Sequence, residues 1–277
     1  MQPAGRPVVG FGAASDPGVV RDHNEDSFLV RPPLFIVADG MGGHAAGEIA
    51  SRLAVQSFSD SGLTDSSDAE AIHKAMAEAN RLVFESATGA SQGMGTTCAL
   101  LLLGDGIAHI ANVGDSRVYL LRGEELRQLS RDHTLAAEMV DQGLISAEQV
   151  LGSDGGSQIT RALGGGDTVK SDTTTVELMP GDRFVLCSDG LSSMVADADI
   201  KHILIEGDAP QEAADKLVAA ANAAGGDDNV TVVVVDIIPP PSASAARDWR
   251  RRTTFVLVLL AIVLVAIAVA VLVQKAR

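Results

Sequence analysis

Residues 255–273 read FVLVLLAIVLVAIAVAVLV, nineteen positions without one polar side chain. A buried core helix rarely lacks a polar face over five turns. At about 1.5 Å per residue the run matches the roughly 30 Å hydrocarbon core of a bilayer, with little slack for tilt. A single transmembrane helix is expected there. Its amino-terminal flank, RDWRRRTT, holds four arginines and Trp249, whereas the other flank is only QKAR. The richer basic flank belongs in the cytoplasm, which puts residues 1–238 there too, under the inner membrane of the cell. Residues 239–254 are read as a Pro/Ser/Ala linker and basic juxtamembrane segment, and 274–277 as a short outer tail. The opening MQPAGRPVVGFGAAS has no apolar stretch of the signal-peptide kind.

Charge narrows the function of the remainder. Six of the 21 basic residues and one of the 36 acidic ones follow position 240, so 15 stand against 35 before it, a net of -20. A domain that negative repels phosphate backbones, and no nucleic-acid partner is expected. Divalent cations are the natural reason to gather so many carboxylates. The two cysteines, Cys98 and Cys187, lie inside apolar runs. They exclude a disulfide framework and suit a reducing compartment.

Apolar runs and turn residues predict strands at 7–12, 27–30, 34–38, 96–103, 107–113, 117–122, 173–178, 183–187 and 230–237. Helical periodicity covers 46–60, 68–87, 134–142, 197–205 and 210–223. The turns Gly114-Asp115-Ser116 and Gly123-Glu124 make residues 96–130 read as one antiparallel meander. Segment 143–170 is glycine-rich with weak periodicity, a length of loop that is usually functional or mobile. The mix is α+β, antiparallel sheets covered by helices.

Acidic residues recur beside glycine or asparagine at the ends of these strands: Glu25-Asp26, Asp39-Gly40, Gly114-Asp115, Asp189-Gly190 and Asp227-Asp228-Asn229. One Asp-Gly after a strand is ordinarily a turn. Five such sites at one end of a sheet stack would repel one another unless hard cations neutralise them. An all-oxygen donor set suits Mg²⁺ or Mn²⁺ rather than structural zinc. Two such ions can share a water, lower its pKa and hold a phosphate for in-line attack.

The segments SDPGVVRDHNEDS (15–27), VADGMGGHAAGEIAS (37–51), MGTTC (94–98), NVGDSRVY (112–119), SRDHT (130–134), CSDGLSSMV (187–195) and GDDNVTVVVV (226–235) resemble, in order and spacing, the metal-dependent protein phosphatase family. This is the protein phosphatase 2C-like group, in its bacterial serine/threonine branch, and the resemblance covers residues 7–237. It implies a four-layer sandwich, two antiparallel sheets flanked by helices, to which the transmembrane helix would be added. It implies hydrolysis of phosphoserine and phosphothreonine by two-metal-activated water without a phosphoenzyme. Carried over by residue, Asp39 would bridge two Mn²⁺ or Mg²⁺ ions, with the Gly40 carbonyl on the second. Asp189 and Asp228 would complete the first ion, and Glu25 would help the second. Asp26 matches an acid that orients a metal-bound water. Asp115 and Ser157 fall where bacterial relatives hold a third ion, although GGSQITRAL lacks the basic residue usual before that serine. Arg21 matches the phosphate-binding arginine, and a planar guanidinium suits two phosphoryl oxygens.

Two readings of His44 stay open. It is either the acid that protonates the leaving oxygen or a polar residue at a helix entry, because relatives in animals place their histidine directly after the Asp-Gly pair. His23 and His133 are expected to pack or hydrogen-bond. The expected partners are phosphorylated proteins, membrane serine/threonine kinases with their substrates, and the lipid bilayer itself. The competing functions are a catalytically inactive adaptor or sensor at the membrane and a hydrolase of small phosphoesters. An adaptor should have lost a metal carboxylate, and none is missing.

Overall fold

The computed structural model describes residues 8–42, 45–146, 158–207 and 209–238. In chain order its strands are β1 (Val8–Asp16), β2 (Asp26–Arg31), β3 (Leu34–Met41), β4 (Gly95–Thr96), β5 (Cys98–Leu103), β6 (Ile107–Val113), β7 (Arg117–Arg122), β8 (Glu125–Gln128), β9 (Asp172–Glu177), β10 (Arg183–Cys187) and β11 (Val230–Ile238). The helices are α1 (Ala45–Asp60), α2 (Ala69–Ser86), α3 (Leu135–Asp141), a single turn α4 (Asp189–Ser192), α5 (Asp197–Glu206) and α6 (Pro210–Ala223).

The strand sequences dictate the layering. Along β3, Phe35 and Val37 face one side while Leu34 and Ile36 face the other. Both faces are apolar, so the strand must be covered twice. β5, β10 and most of β11 are likewise buried throughout. The result is two antiparallel sheets face to face, in the orders β1-β11-β10-β7-β8 and β2-β3-β5-β6-β9, with β4 beside β3. Phe35, Leu101, Val118, Phe184 and Val233 fill the space between them. Outside the second sheet, Phe58 of α1 and Met76 of α2 pack on Ile36 and Leu100. Outside the first, Leu204 of α5 and Leu217 of α6 pack on Val185 and Val232. The four-layer α+β sandwich is as expected.

The helices begin where capping chemistry allows. Asp68 accepts from Ala71 N at the start of α2, Thr134 accepts from Ala137 N at α3, and Pro210 opens α6 without an N–H to satisfy. Ile72, Ala75, Met76, Ala79 and Val83 recur at helical spacing on the buried face of α2.

One expectation is corrected. Residues 96–130 are not one meander: β5 and β6 pair in the second sheet, β7 and β8 in the first. Gly114-Asp115-Ser116 is the crossing between the sheets. Gly114 sits at φ +98°, and a Cβ there would lie 2.6 Å from the Thr97 side chain, so only glycine fits the crossing. Among the described residues no helix is long and apolar enough to cross a membrane. The linker, the apolar run 255–273 and the outer tail lie outside those residues.

Candidate active site

The sheet ends gather the predicted carboxylates around one cleft of about 540 Å³, whose lining includes Arg21, Glu25, Asp39, Gly40, Asp189 and Asp228. Each is delivered by a different local device. Asp39 and Gly40 belong to β3 itself, which runs three residues past the apolar core to Met41. Asp189 is the first residue of α4, where the turn's exposed N–H groups favour a negative charge. Asp228 precedes β11 and caps the next peptide, its Oδ1 accepting from Asn229 N at 2.9 Å.

The glycines of the two Asp-Gly pairs serve close approach rather than a left-handed turn. A Cβ on Gly40 would lie 2.1 Å from Gly47 O, and one on Gly190 2.1 Å from Asn229 O. Neither adopts a positive φ. Removing the side chain lets α1 and the β11 approach close on the carboxylates. Gly47 does the same for Glu25, whose Oε2 would stand 2.2 Å from an added Cβ.

Asn229 knits the Arg21 loop to this floor. Its Oδ1 accepts from Glu25 N at 2.8 Å, and its Nδ2 donates to Pro17 O and His23 O. Arg21 projects from that loop, exposed, and its Nη2 donates to Asp228 Oδ2 at 2.8 Å. His23 lines the mouth of the cleft beside it.

The electrostatics are those of crowded carboxylates with too little counter-charge, Arg21 on Asp228 and Asp189 and Arg117 near Asp115. Asp26, Asp39 and Asp189 are each partly exposed, the last two in the lining of the cleft, yet burial of the charged group dominates each. It pushes Asp26 up to about 7, helped by Asp189 and Asp228 and opposed by the Thr231 and Ser188 hydroxyls. Burial raises Asp39 well above the usual range, with Asp26, Asp189 and Asp115 adding repulsion. Asp189 is raised by burial as well. Asp115, buried at the sheet crossing and outside the cleft lining, is pushed to about 7 by burial and then by Asp189.

Asp26 Oδ1, Asp115 Oδ1 and Asp189 Oδ1 are buried with no hydrogen-bond partner among the described residues. Three such oxygens on charged groups are costly unless something cationic meets them. As the side chains stand, no three described His, Cys, Asp or Glu residues converge on one ion position. Arg21 draws Asp228 toward the rim, and Asp39 and Asp189 share a hydrogen bond. The donor chemistry nevertheless fits a hard divalent cation, since every ligating group is a carboxylate or carbonyl oxygen.

The structure thus brings Arg21, Glu25, Asp26, Asp39, Gly40, Asp189 and Asp228 together, with Asp115 behind them. His44 and Ser157 lie outside the described residues. His133 hydrogen-bonds, as expected: Gly114 N donates to its Nδ1 at 3.1 Å and its Nε2 lies 3.3 Å from Asp172 Oδ2. Both cysteines are buried and free, and burial pushes the Cys187 thiol to about 12, so neither is a nucleophile. Sequence reasoning missed Ser188 and Thr231, which touch Asp26; hydroxyl residues at strand ends carry no signal of their own.

The family model for protein phosphatase 2C matches residues 19–230. A serine/threonine phosphatase stp of Listeria innocua is 38% identical over 217 residues, covering 74% of this chain and 86% of its own. The crystal structure of the Mycobacterium tuberculosis serine/threonine phosphatase PstP/Ppp superposes with a TM-score of 0.80 at 38% identity, over 84% of this chain and 100% of that one. A second structure, the PstP catalytic domain in complex with two manganese ions, superposes at 0.77 with 38% identity, over 84% and 99% of the two chains. With the sheet order, the carboxylate cleft and these likenesses in agreement, the chain belongs to the protein phosphatase 2C family.

Proposed function

We propose that the chain is a Mn²⁺- or Mg²⁺-dependent phosphatase of phosphoserine and phosphothreonine in proteins, tethered to the inner face of a membrane by residues 255–273. One observation carries the catalytic part: three buried carboxylate oxygens without a partner among the described residues, on Asp26, Asp115 and Asp189, the last of them lining a cleft with a guanidinium at its mouth. Asp39, Gly40, Asp189, Asp228 and Glu25 would hold the two core ions, and Asp115 a third. When bound, such ions lower the pKa of a water and offset charge on phosphoryl oxygens.

The chain's own groups divide the remaining work. With Asp228 engaged by a cation, Arg21 would be free of its present pair, and its fork would suit two phosphoryl oxygens. The Asn229 side chain fixes the loop from which it reaches. Asp26, whose Oδ1 has no partner among the described residues, would orient the attacking water. The cleft opens to solvent at the Arg21 rim, so a phosphorylated side chain on a protein surface can enter while the rest of that protein stays outside.

The apolar run and its arginine-rich flank support the tether. Sharing a membrane with receptor-type serine/threonine kinases would raise the effective concentration of those partners, and we propose that the enzyme opposes them. The inactive-adaptor reading loses ground because every carboxylate it would lack, Glu25, Asp26, Asp39, Asp189 and Asp228, is present at the site.

The test compares substrates on the full chain in detergent micelles with Mn²⁺. A phosphothreonine peptide should be hydrolysed with a higher kcat/KM than a small phosphate monoester, and EDTA should stop both. Preference for the monoester would instead make it a small-phosphoester hydrolase, and no hydrolysis of either would favour the adaptor.

A further inference from the structure

Asp26 stands on β2, yet its carboxylate is held from the opposite sheet. Ser15, Thr231 and Ser188 come from the ends of β1, β11 and β10, which are neighbours in that sheet. Ser15 pairs directly with Thr231 across the ladder. Thr231 and Ser188 are fully buried. Their hydroxyls form one connected group.

Asn24 Oδ1 accepts from Asp26 N at 3.0 Å, which orients the amide, so Asn24 Nδ2 is the donor to Ser15 Oγ at 2.9 Å. Ser15 Oγ and Thr231 Oγ1 lie 2.7 Å apart, and either hydroxyl can donate to the other. With Ser15 as the donor of that pair, the Thr231 proton is free for the Asp26 carboxylate, whose charged form the hydroxyl favours. Ser188 reaches the same end by a second route. Its Oγ accepts from Thr231 N at 2.9 Å, and its proton goes to Asp26 Oδ2 at 2.8 Å, because the alternative acceptor, Asn229 O, is 3.5 Å away. In that arrangement both hydroxyl routes end on one carboxylate, and its Oδ1 is left buried without a partner among the described residues.

We propose that Ser188 and Thr231 are positioning residues that lock the Asp26 carboxylate in one rotation, so that Oδ1 alone faces the reaction centre. The proposal deepens the phosphatase reading and rests on it for its kinetic consequence. A carboxylate with free χ2 rotation would present either oxygen, and the water it orients would lose its line of attack. Two hydroxyl donors remove that freedom without adding bulk or charge to the cleft.

The experiment uses the full chain with Mn²⁺ and a phosphothreonine peptide, and four variants. Ser188→Ala and Thr231→Val each remove one hydroxyl, the second with almost unchanged volume, and each should lower kcat by about tenfold. KM should stay within about twofold, since neither residue lines the cleft. Thr231→Ser and Ser188→Thr keep the donor and should restore kcat. Wild-type kcat in Thr231→Val, or an equal loss in Thr231→Ser, would overturn the proposal, because the hydroxyl would then be irrelevant. Should the wild-type protein release no phosphate, the phosphatase reading fails on its own. The positioning is then read from crystal structures of wild type and Ser188→Ala/Thr231→Val: a rotated Asp26 carboxylate in the variant supports it, and an unmoved one rejects it.

Discussion

Asp26 and Asp39 stand directly opposite each other on the antiparallel pair β2–β3. Side chains so placed share one face with Cβ atoms about 5 Å apart, and like charges there destabilise a sheet. The pair, with Asp115 and Asp189, makes the fold pay at neutral pH for a site that cations would relieve. Asp26 and Asp115 titrate at about 7 in the folded chain, against about 4 unfolded. A raised folded pKa contributes stability that is complete below the unfolded value and is lost as pH rises through the folded one. Without metal, this cluster should lose stability between about pH 4 and pH 7. The rise in Tm on adding Mn²⁺ should therefore be small at pH 5 and larger at pH 7.5. Thermal unfolding across that range checks it, and a Mn²⁺ effect that shrinks with pH counts against the cluster.

Gly47 gives a mutation whose two effects have opposite signs. It lies in the first turns of α1, where alanine would ordinarily stabilise by about 1 kcal/mol. Its added Cβ, however, would fall 2.2 Å from Glu25 Oε2 and 2.7 Å from Gly40 O. Gly47→Ala should displace the Glu25 carboxylate, weaken Mn²⁺ binding by tenfold or more, an estimate of about 1.4 kcal/mol, and bring no gain in Tm. Calorimetric Mn²⁺ titration beside a melting curve separates the effects.

Arg21 should matter to turnover and hardly to stability. Its ion pair with Asp228 is half-exposed on both sides, and such pairs contribute about 0–1 kcal/mol. Arg21→Ala should leave the denaturation midpoint nearly unchanged while lowering kcat/KM by about a hundredfold, the size expected for losing one donor to transition-state charge. Arg21→Lys should recover little, because an ammonium lacks the fork.

His133 is the converse case, a buried residue outside the cleft. Its Nδ1 accepts from Gly114 N, and the Arg161 and Asp172 side chains close around its other nitrogen. His133→Phe leaves a buried amide without its acceptor and should cost about 1–3 kcal/mol, read as a shift in denaturation midpoint. Because Gly114 starts the crossing that carries Asp115, some activity should be lost too, without change in specificity.

The apolar runs were legible because a strand buried on both faces leaves a mark in composition, as in β3, β5 and β11. The carboxylates were legible because Asp39, Asp189 and Asp228 interrupt or end such runs. The crossing at Gly114-Asp115-Ser116 was not, since a tight turn within a sheet and a step between sheets use the same residues. A single Asp-Gly after a strand is ordinarily turn chemistry, whereas Gly40 and Gly190 make room for backbone from α1 and the approach to β11. That demand arises only once distant segments meet. Ser188 and Thr231 lie 43 positions apart, and their common grip on Asp26 depends on the register of β10 against β11. No local pattern announces it.

The central claim, that this cleft is a divalent-metal phosphatase centre, is tested most directly by phosphate release from a phosphothreonine peptide. The full chain, its EDTA-treated form and Asp189→Ala would be measured with Mn²⁺ stoichiometry determined on the same samples. The account predicts at least two Mn²⁺ per wild-type chain, release only when they are bound, and loss of both in a folded Asp189→Ala protein. Undiminished release from Asp189→Ala, or from the metal-free protein, would contradict it.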